Sequence, residues 1–294
     1  MTPLDFEFIR RRLKERSGLV LSADKQYLVE SRLLPVARKA GLANLGELVI
    51  ALKKADDSVL MTSVVEAMTT NESFFFRDRT PFDHFRQTIM PALLAARRAS
   101  RSIRIWCAAA STGQEPYSLA ICLQEMQGDI AGWNIEILAT DLSNDVLDRA
   151  RQGLYTQFEV QRGLSIQLLI RHFTQSGELW QIAPELRAMV RCRQLNLLTD
   201  FSSLGTFDVI FCRNVLIYFD RETKTDVLDR VAKVISSDGY LVLGAAETIV
   251  GLTDRFKMVT DKRGLYVPNL RGPRLPGRAG ANDGLRLVAI NGGR

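Results

Sequence analysis

One stretch, residues 103–119 (IRIWCAAASTGQEPYSL), constrains the fold more than any other part of the chain. An apolar strand pattern runs directly into a loop of tiny residues, Ala108-Ala109-Ala110-Ser111-Thr112-Gly113. A helix pattern then opens with Gln114-Glu115-Pro116. A strand that turns at once into a helix is the building unit of an open parallel α/β sheet. Small side chains at that turn let the backbone approach a ligand closely. Further on, IEILATD (135–141) is a second apolar strand, and it ends on Asp141. A carboxylate at that place can accept hydrogen bonds from both hydroxyls of a ribose. Together the two segments point to an adenosine-containing ligand.

The loop is not a dinucleotide fingerprint. It has one glycine, Gly113, where that fingerprint needs three, so a nicotinamide dehydrogenase is disfavoured. It also lacks the Gly-Lys-Ser/Thr ending of a P-loop. Glu115 stands in the first helical turn, where it would repel a phosphate but could pair with an ammonium group. The alternative is that Glu115 only complements the helix dipole. The ammonium reading favours an adenosine that carries an amino acid, namely S-adenosylmethionine.

Other chemistries find little support. The two histidines, His84 and His172, sit among apolar neighbours and in no metal-ligand spacing, and the four cysteines form no C-x-x-C pair. No metal is expected. No G-x-S-x-G elbow is present either. No apolar run approaches the ~20 residues of a membrane span. The N-terminus, MTPLDFEFIRRRLKERSG, is charged and helical, without a signal-peptide core. The expectation is a cytoplasmic protein without membrane insertion. Of the +6 net charge, +4 falls after Pro268, where five arginines face only Asp283. The remainder is close to neutral, which argues against nucleic acid as a partner.

Residues 1–75 read as helices alone. Thr2 caps a first helix with Pro3 at its first position and Gly18 as its stop. Ser22 caps a second helix running to Ala40, which Pro35 should kink. Asn44 caps a third, and Asp56 or Asp57 begins a fourth that runs to about Thr69. Residues 76–101 form a connector with a helix over 80–100. From 102 to 268 strands alternate with helices, with strands expected at 103–108, 135–140, 190–195, 207–212 and 240–244. A small β insertion is placed at about 172–190, and a hairpin turning at Lys262-Arg263-Gly264 closes the domain. The tail, 269–294, is rich in Gly, Arg and Pro and reads as disordered.

Three further clusters join the first two: TTNESFFFR (69–77), QLNLL (194–198) and DVIFCRNVLIYF (208–219). With AAASTGQEPYSLA, ILATDLS and GYLVLGAAE they form an ordered set. That set resembles the glutamate methyltransferases of chemotaxis receptors, the CheR family, from the N-terminal helices to about Pro268. The resemblance implies a Rossmann-like class I methyltransferase domain preceded by a small all-helical domain. It implies transfer of a methyl group from S-adenosylmethionine to receptor glutamate carboxylates, leaving S-adenosylhomocysteine. By position, Asn71, Ser73, Arg77, Glu115, Asp141, Asn196, Leu197, Arg213 and Asn214 match the family's cofactor contacts. Arg77 and Tyr218 match the residues nearest the transferred methyl group. The implied partner is the cytoplasmic helical domain of a membrane chemoreceptor. Arg32, Arg38 and Lys39 on the second helix are the expected contact, while the basic face of the first helix reads as solvated surface. Some members dock a receptor C-terminal pentapeptide through a glycine-rich loop in the β insertion. Here that region is short, with one glycine, so no tether is expected. Two other readings share these features: a nucleic-acid methyltransferase, which would want an Asn/Asp-Pro-Pro-aromatic loop where this chain has Arg213-Asn214-Val215-Leu216, and a non-catalytic cofactor-binding scaffold.

Overall fold

A computed structural model describes residues 1–54 and 59–270. The expected start of the fourth helix and the tail beyond residue 270 lie outside the described residues. The first helix, α1 (Pro3–Ser17), forms as its signals dictate. Thr2 and Asp5 close a reciprocal capping box, Pro3 opens the helix, and Gly18 ends it in the left-handed conformation. Helices α2 (Gln26–Lys39), α3 (Leu45–Lys54) and α4 (Val59–Met68) follow. Ser22 makes no capping bond; it precedes a 3-10 turn, Ala23–Lys25, and α2 begins only after it. Pro35 lies inside α2, which continues past it. Asn44 does cap α3, accepting from the Glu47 N–H at 3.0 Å. These helices bury a core of their own, with Ile9, Leu13, Val29, Leu33 and Val64 at its centre.

The connector is not one regular helix. It runs as α5 (Thr80–His84), a π-helical turn (Phe85–Ile89) and α6 (Met90–Ala96). Pro91 has no N–H to give the preceding turn and its ring crowds the carbonyl four residues back, so the ladder widens there.

Beyond it come β1 (Ser102–Ala108), α7 (Gln114–Glu125), β2 (Asn134–Asp141), α8 (Asn144–Gln152), β3 (Leu154–Thr156), α9 (Gln157–Gln161) and α10 (Ile166–His172). Then follow β4 (Phe173–Ser176), β5 (Leu179–Ile182), α11 (Pro184–Ala188), β6 (Val190–Gln194), β7 (Phe207–Cys212), α12 (Arg221–Val234), β8 (Ile235–Leu243), β9 (Phe256–Met258) and β10 (Leu265–Pro268). The main sheet has the order β6-β2-β1-β7-β8-β10-β9. Its first five strands are parallel; β10 is antiparallel to both β8 and β9. Alternation along β1 explains why both faces are covered: Ile103, Ile105 and Cys107 enter one apolar cluster, Trp106 and Ala108 the other. A second, antiparallel sheet has the order β3-β5-β4. It includes Leu154–Thr156, well before the insertion's expected start, because the partner of β5 comes from the end of α8.

The aromatic run Phe74–Phe76 plugs the joint between these parts. Phe75 is fully buried, edge-on to Tyr155 at 5.0 Å and to Phe173 at 5.4 Å. Phe74 is only half-buried, with the guanidinium groups of Arg162 and Arg77 over its ring at 4.3 and 5.4 Å.

Candidate active site

Strand order reverses at β1, whose neighbours are β2 on one side and β7 on the other. In such sheets a crevice opens beyond the carboxyl ends of the strands at that point. A cleft is present there, walled by the exits of β1, β2, β6 and β7, by residues 69–77 and by the end of α1 through Ser17 and Leu19. All ten cleft residues expected from the sequence meet in it: Asn71, Ser73, Arg77, Glu115, Asp141, Asn196, Leu197, Arg213, Asn214 and Tyr218.

The β1 exit is held in a strained path. Ala109 (φ 61°), Ser111 (φ 51°) and Gly113 (φ 95°) all take positive φ. Two bonds fix that path: the Ser111 N–H donates to Asp141 Oδ2 at 2.8 Å, and the Ser111 hydroxyl donates to the Asn71 carbonyl at 3.0 Å. Asp141 also accepts from the Ser143 N–H at 3.1 Å. Burial raises the Asp141 carboxyl above its usual range, and these backbone N–H groups pull it back.

Glu115 and Arg213 do not stand apart. The Arg213 side chain is 1% exposed and donates to Glu115 Oε2 at 2.8 Å, to Asp78 Oδ2 at 2.8 Å and to the Arg77 carbonyl at 2.7 Å. Its Nε is buried without a partner among the described residues. Glu115 therefore has a role that the sequence reading did not include, as counter-ion to Arg213. Burial pushes its carboxyl up, Arg213 opposes, and the nearby Glu247 charge adds to the rise. The Cys107 thiol beneath it is pushed well up by burial and so stays neutral. Of the residues that line the cleft, three are acidic, Glu72, Glu115 and Asp141, and two are basic, Arg77 and Arg213. That balance leaves the region negative and suited to a cationic ligand.

Asn196 is engaged across the joint between the two parts of the chain. Its amide donates to the Arg16 carbonyl at 2.7 Å, and its oxygen accepts from the Leu198 N–H at 2.9 Å. The Val20 N–H likewise donates to the Tyr218 carbonyl, and Lys14 pairs with Asp220 at 2.6 Å. Tyr218 packs against the core of the N-terminal helices as well as its own. Arg77 is half-buried and donates to the Glu72 carbonyl at 2.7 Å.

The three basic residues expected at a receptor contact lie outside the cleft, on α2. Arg38 and Lys39 are exposed. Arg32 is directed inward: its guanidinium donates to the Met68 and Thr69 carbonyls at 2.9 and 3.1 Å, closing the end of α4. Two participants were missed in the sequence. Asp78 and Glu247 are local acidic residues whose partners lie 135 and about 30 positions away in the chain, so no short motif marks them. Among the described residues no cluster of side chains could hold a metal, and no helix is long and apolar enough to cross a membrane.

A doubly wound sheet with a small-residue β1 exit and an acidic β2 end at the switch point places the chain in the class of α/β proteins suited to an adenosine-containing ligand. Family comparison agrees and narrows this. The model of the CheR methyltransferase SAM-binding domain matches residues 71–265, and that of the CheR methyltransferase all-alpha domain matches residues 4–69. A chemotaxis protein methyltransferase of Pseudomonas aeruginosa is 43% identical over 89% of this chain and 96% of its own length. One of Pseudomonas putida is 40% identical over 89% and 96%, and one of Vibrio cholerae 40% identical over 87% and 93%. The chain belongs to the CheR methyltransferase family.

Proposed function

We propose that this chain methylates glutamate side chains in the cytoplasmic helical domains of membrane chemoreceptors, giving methyl esters and S-adenosylhomocysteine. The observation that carries the reading is the single cleft in which Asp141, the Glu115–Arg213 pair, Arg77 and Tyr218 converge. The relatives' activity in chemotaxis supplies the substrate class. Neither a nucleic acid, nor a metal, nor a receptor pentapeptide tether is part of the proposal; the β4–β5 turn is short, with Gly177 its one glycine.

The residues fit the cofactor. Asp141 sits at a strand end suited to ribose hydroxyls, the negative surroundings suit a sulfonium, and the unpartnered Arg213 Nε is a ready donor to a carboxylate. Leu197 and Asn196 furnish the wall for an adenine, while Asn71, Ser73 and Asn214 line the rest of the cleft. When bound, the cofactor supplies a methyl group activated for displacement. The attacking glutamate is already ionised at neutral pH, so the chain needs no general base. Its task is alignment and exclusion of water. Arg77, with one N–H committed to the Glu72 carbonyl, retains donors to orient the incoming carboxylate. Tyr218 bounds the other side. Arg38 and Lys39 steer the acidic receptor helix; Arg32 supports them by fixing α2 to α4.

Labelled S-adenosylmethionine and a receptor cytoplasmic fragment test the reading. The expected product is a base-labile ester that releases labelled methanol from glutamate; alkali-stable label, or none, sinks the proposal. Arg77→Ala should lower turnover about tenfold, the loss of about 1.4 kcal/mol of transition-state interaction, with a smaller change in cofactor affinity. Equal losses in both would make Arg77 a binding residue only.

A pH dependence follows from the two raised carboxyls. Glu115 and Asp141 take up protons at higher pH than exposed carboxylates do. Affinity for S-adenosylhomocysteine should therefore fall as the pH drops from neutrality toward the ordinary carboxylate range, before exposed carboxylates titrate. A flat calorimetric profile over that interval would show that neither anion matters for binding.

A further inference from the structure

Glu247 follows β8 and is 9% exposed. Its four hydrogen bonds all come from backbone N–H groups. Oε2 accepts from Gly244 and from Asn214, both at 2.8 Å; Oε1 accepts from Val215 at 3.0 Å and from Ile217 at 3.3 Å. Three of these donors belong to the loop after β7, and no strand or helix ladder satisfies them. A carboxylate is the one side chain with enough acceptor sites for all four.

That loop carries Arg213, Asn214 and Tyr218 into the cleft. Asn214 holds φ at 59°, in the left-handed region that asparagine enters more readily than other non-glycine residues. The clamp is also closely fitted. A Cβ at Gly244 would lie 2.7 Å from Glu247 Oε2 and 3.0 Å from Asn214 Nδ2. On its far side the loop offers the Tyr218 carbonyl to Val20, so its position also sets the seat of the helical domain on the cleft.

We infer that Glu247 is a positioning residue for methyl transfer: by holding the backbone of residues 214–217 it places Asn214 and Tyr218 against the reacting groups. Glu247 touches neither substrate nor cofactor in this account and acts through the loop. A carboxylate that only adds stability would lower the melting temperature and leave turnover per folded molecule alone. A positioning carboxylate changes turnover itself, because small misplacements of reacting groups are costly.

The kinetic readout rests on the proposed function, so a second readout stands without it. Glu247→Gln replaces one acceptor oxygen by a donor that opposes the loop N–H groups. In the full chain, kcat at saturating S-adenosylmethionine and receptor fragment should fall about tenfold, with KM for the fragment nearly unchanged. Amide hydrogen exchange at Asn214, Val215 and Ile217 should accelerate at least tenfold while the core strands stay protected. Gly244→Ala, which keeps the carboxylate but wedges it from Asn214, should reproduce both changes and serves if Glu247→Gln does not fold. Wild-type kcat per folded molecule together with unchanged exchange at those amides overturns the inference. A wild-type chain that transfers no methyl group to any receptor fragment overturns the proposed function instead, and the exchange result then decides the role of Glu247.

Discussion

Replacing Arg213 by methionine is expected to destabilise the folded chain by about 3 kcal/mol, because it leaves the buried Glu115 carboxylate without its counter-ion; the more exposed Asp78 adds little. The Glu115 side chain is 13% exposed and that of Asp78 33%. Methionine fills similar space, so the loss reports the charge and the hydrogen bonds, not a cavity. Two further results would distinguish the cause. Adding Glu115→Gln to the Arg213 variant should recover part of the loss, since one uncompensated charge is removed; strict additivity of the two changes would show that the pair is not coupled. The deficit should also shrink on acidification. Without Arg213 the Glu115 carboxyl moves further above its unfolded value, as burial then acts against the Cys107 hydrogen bond alone. That part of the penalty is complete above the raised folded pKa and vanishes below the unfolded one. Denaturant titrations at neutral and acid pH would read it; a deficit that grows as pH falls would refute the assignment.

Much of this architecture was legible because the buried strands carry their own signal. The stretches at 103–108 and 207–212 are apolar except for Arg104 and Asp208 near their starts, since each strand is covered on both faces of the sheet. Asp141, Asn196 and Asn214 were legible as cleft candidates because they lie at strand exits; Asn71, Ser73 and Arg77, which precede the first strand, were placed by the family resemblance. Elements that depend on distant partners were not. Leu154–Thr156 is a strand only because Leu179–Gln181 lies beside it. The π-helical turn arises from one proline inside a pattern that otherwise reads as regular helix. Arg32 lies on the basic face of α2, and nothing in α2 reveals that the end of α4 takes its guanidinium.

The same limit governed the charges in the cleft. Glu115 was read from its position in a helical turn, which local sequence shows. Its partner stands 98 residues further along, which local sequence does not show. The consequence is chemical. A free Glu115 would be a dedicated acceptor for an ammonium group; a Glu115 shared with Arg213 offers an acid–base pair that can meet both ends of an amino acid. The contribution of the N-terminal helices to the cleft wall, through Ser17 and Leu19, was equally hidden. Gly18 was legible as a helix stop. That a Cβ there would press on the Phe219 ring at 2.8 Å, so that the stop also lets α1 dock, follows only from the fold.

Asp141→Ala should weaken binding of S-adenosylhomocysteine by on the order of 2 kcal/mol or more, about thirtyfold in Kd, from the loss of two charge-assisted hydrogen bonds to the ribose. The structure adds a second contribution. Asp141 also anchors the Ser111 N–H, and Ser111 sits at φ 51° in the loop that must lie close to the ligand. Alanine removes both the proposed ribose acceptor and this anchor. Asp141→Asn separates them in part: its one acceptor oxygen can keep the Ser111 N–H at the expense of the Ser143 N–H, while the negative charge is removed. If the ribose bonds dominate, Asn should lose most of the affinity that Ala loses, while the unliganded Asn variant melts above the Ala variant. If the anchor dominates, Asn should retain most of the affinity, and Ala should lose stability even without ligand. Calorimetric titration of both variants, beside thermal melts of the unliganded chains, decides between them. Wild-type affinity in Asp141→Ala would remove this residue from the cofactor site altogether.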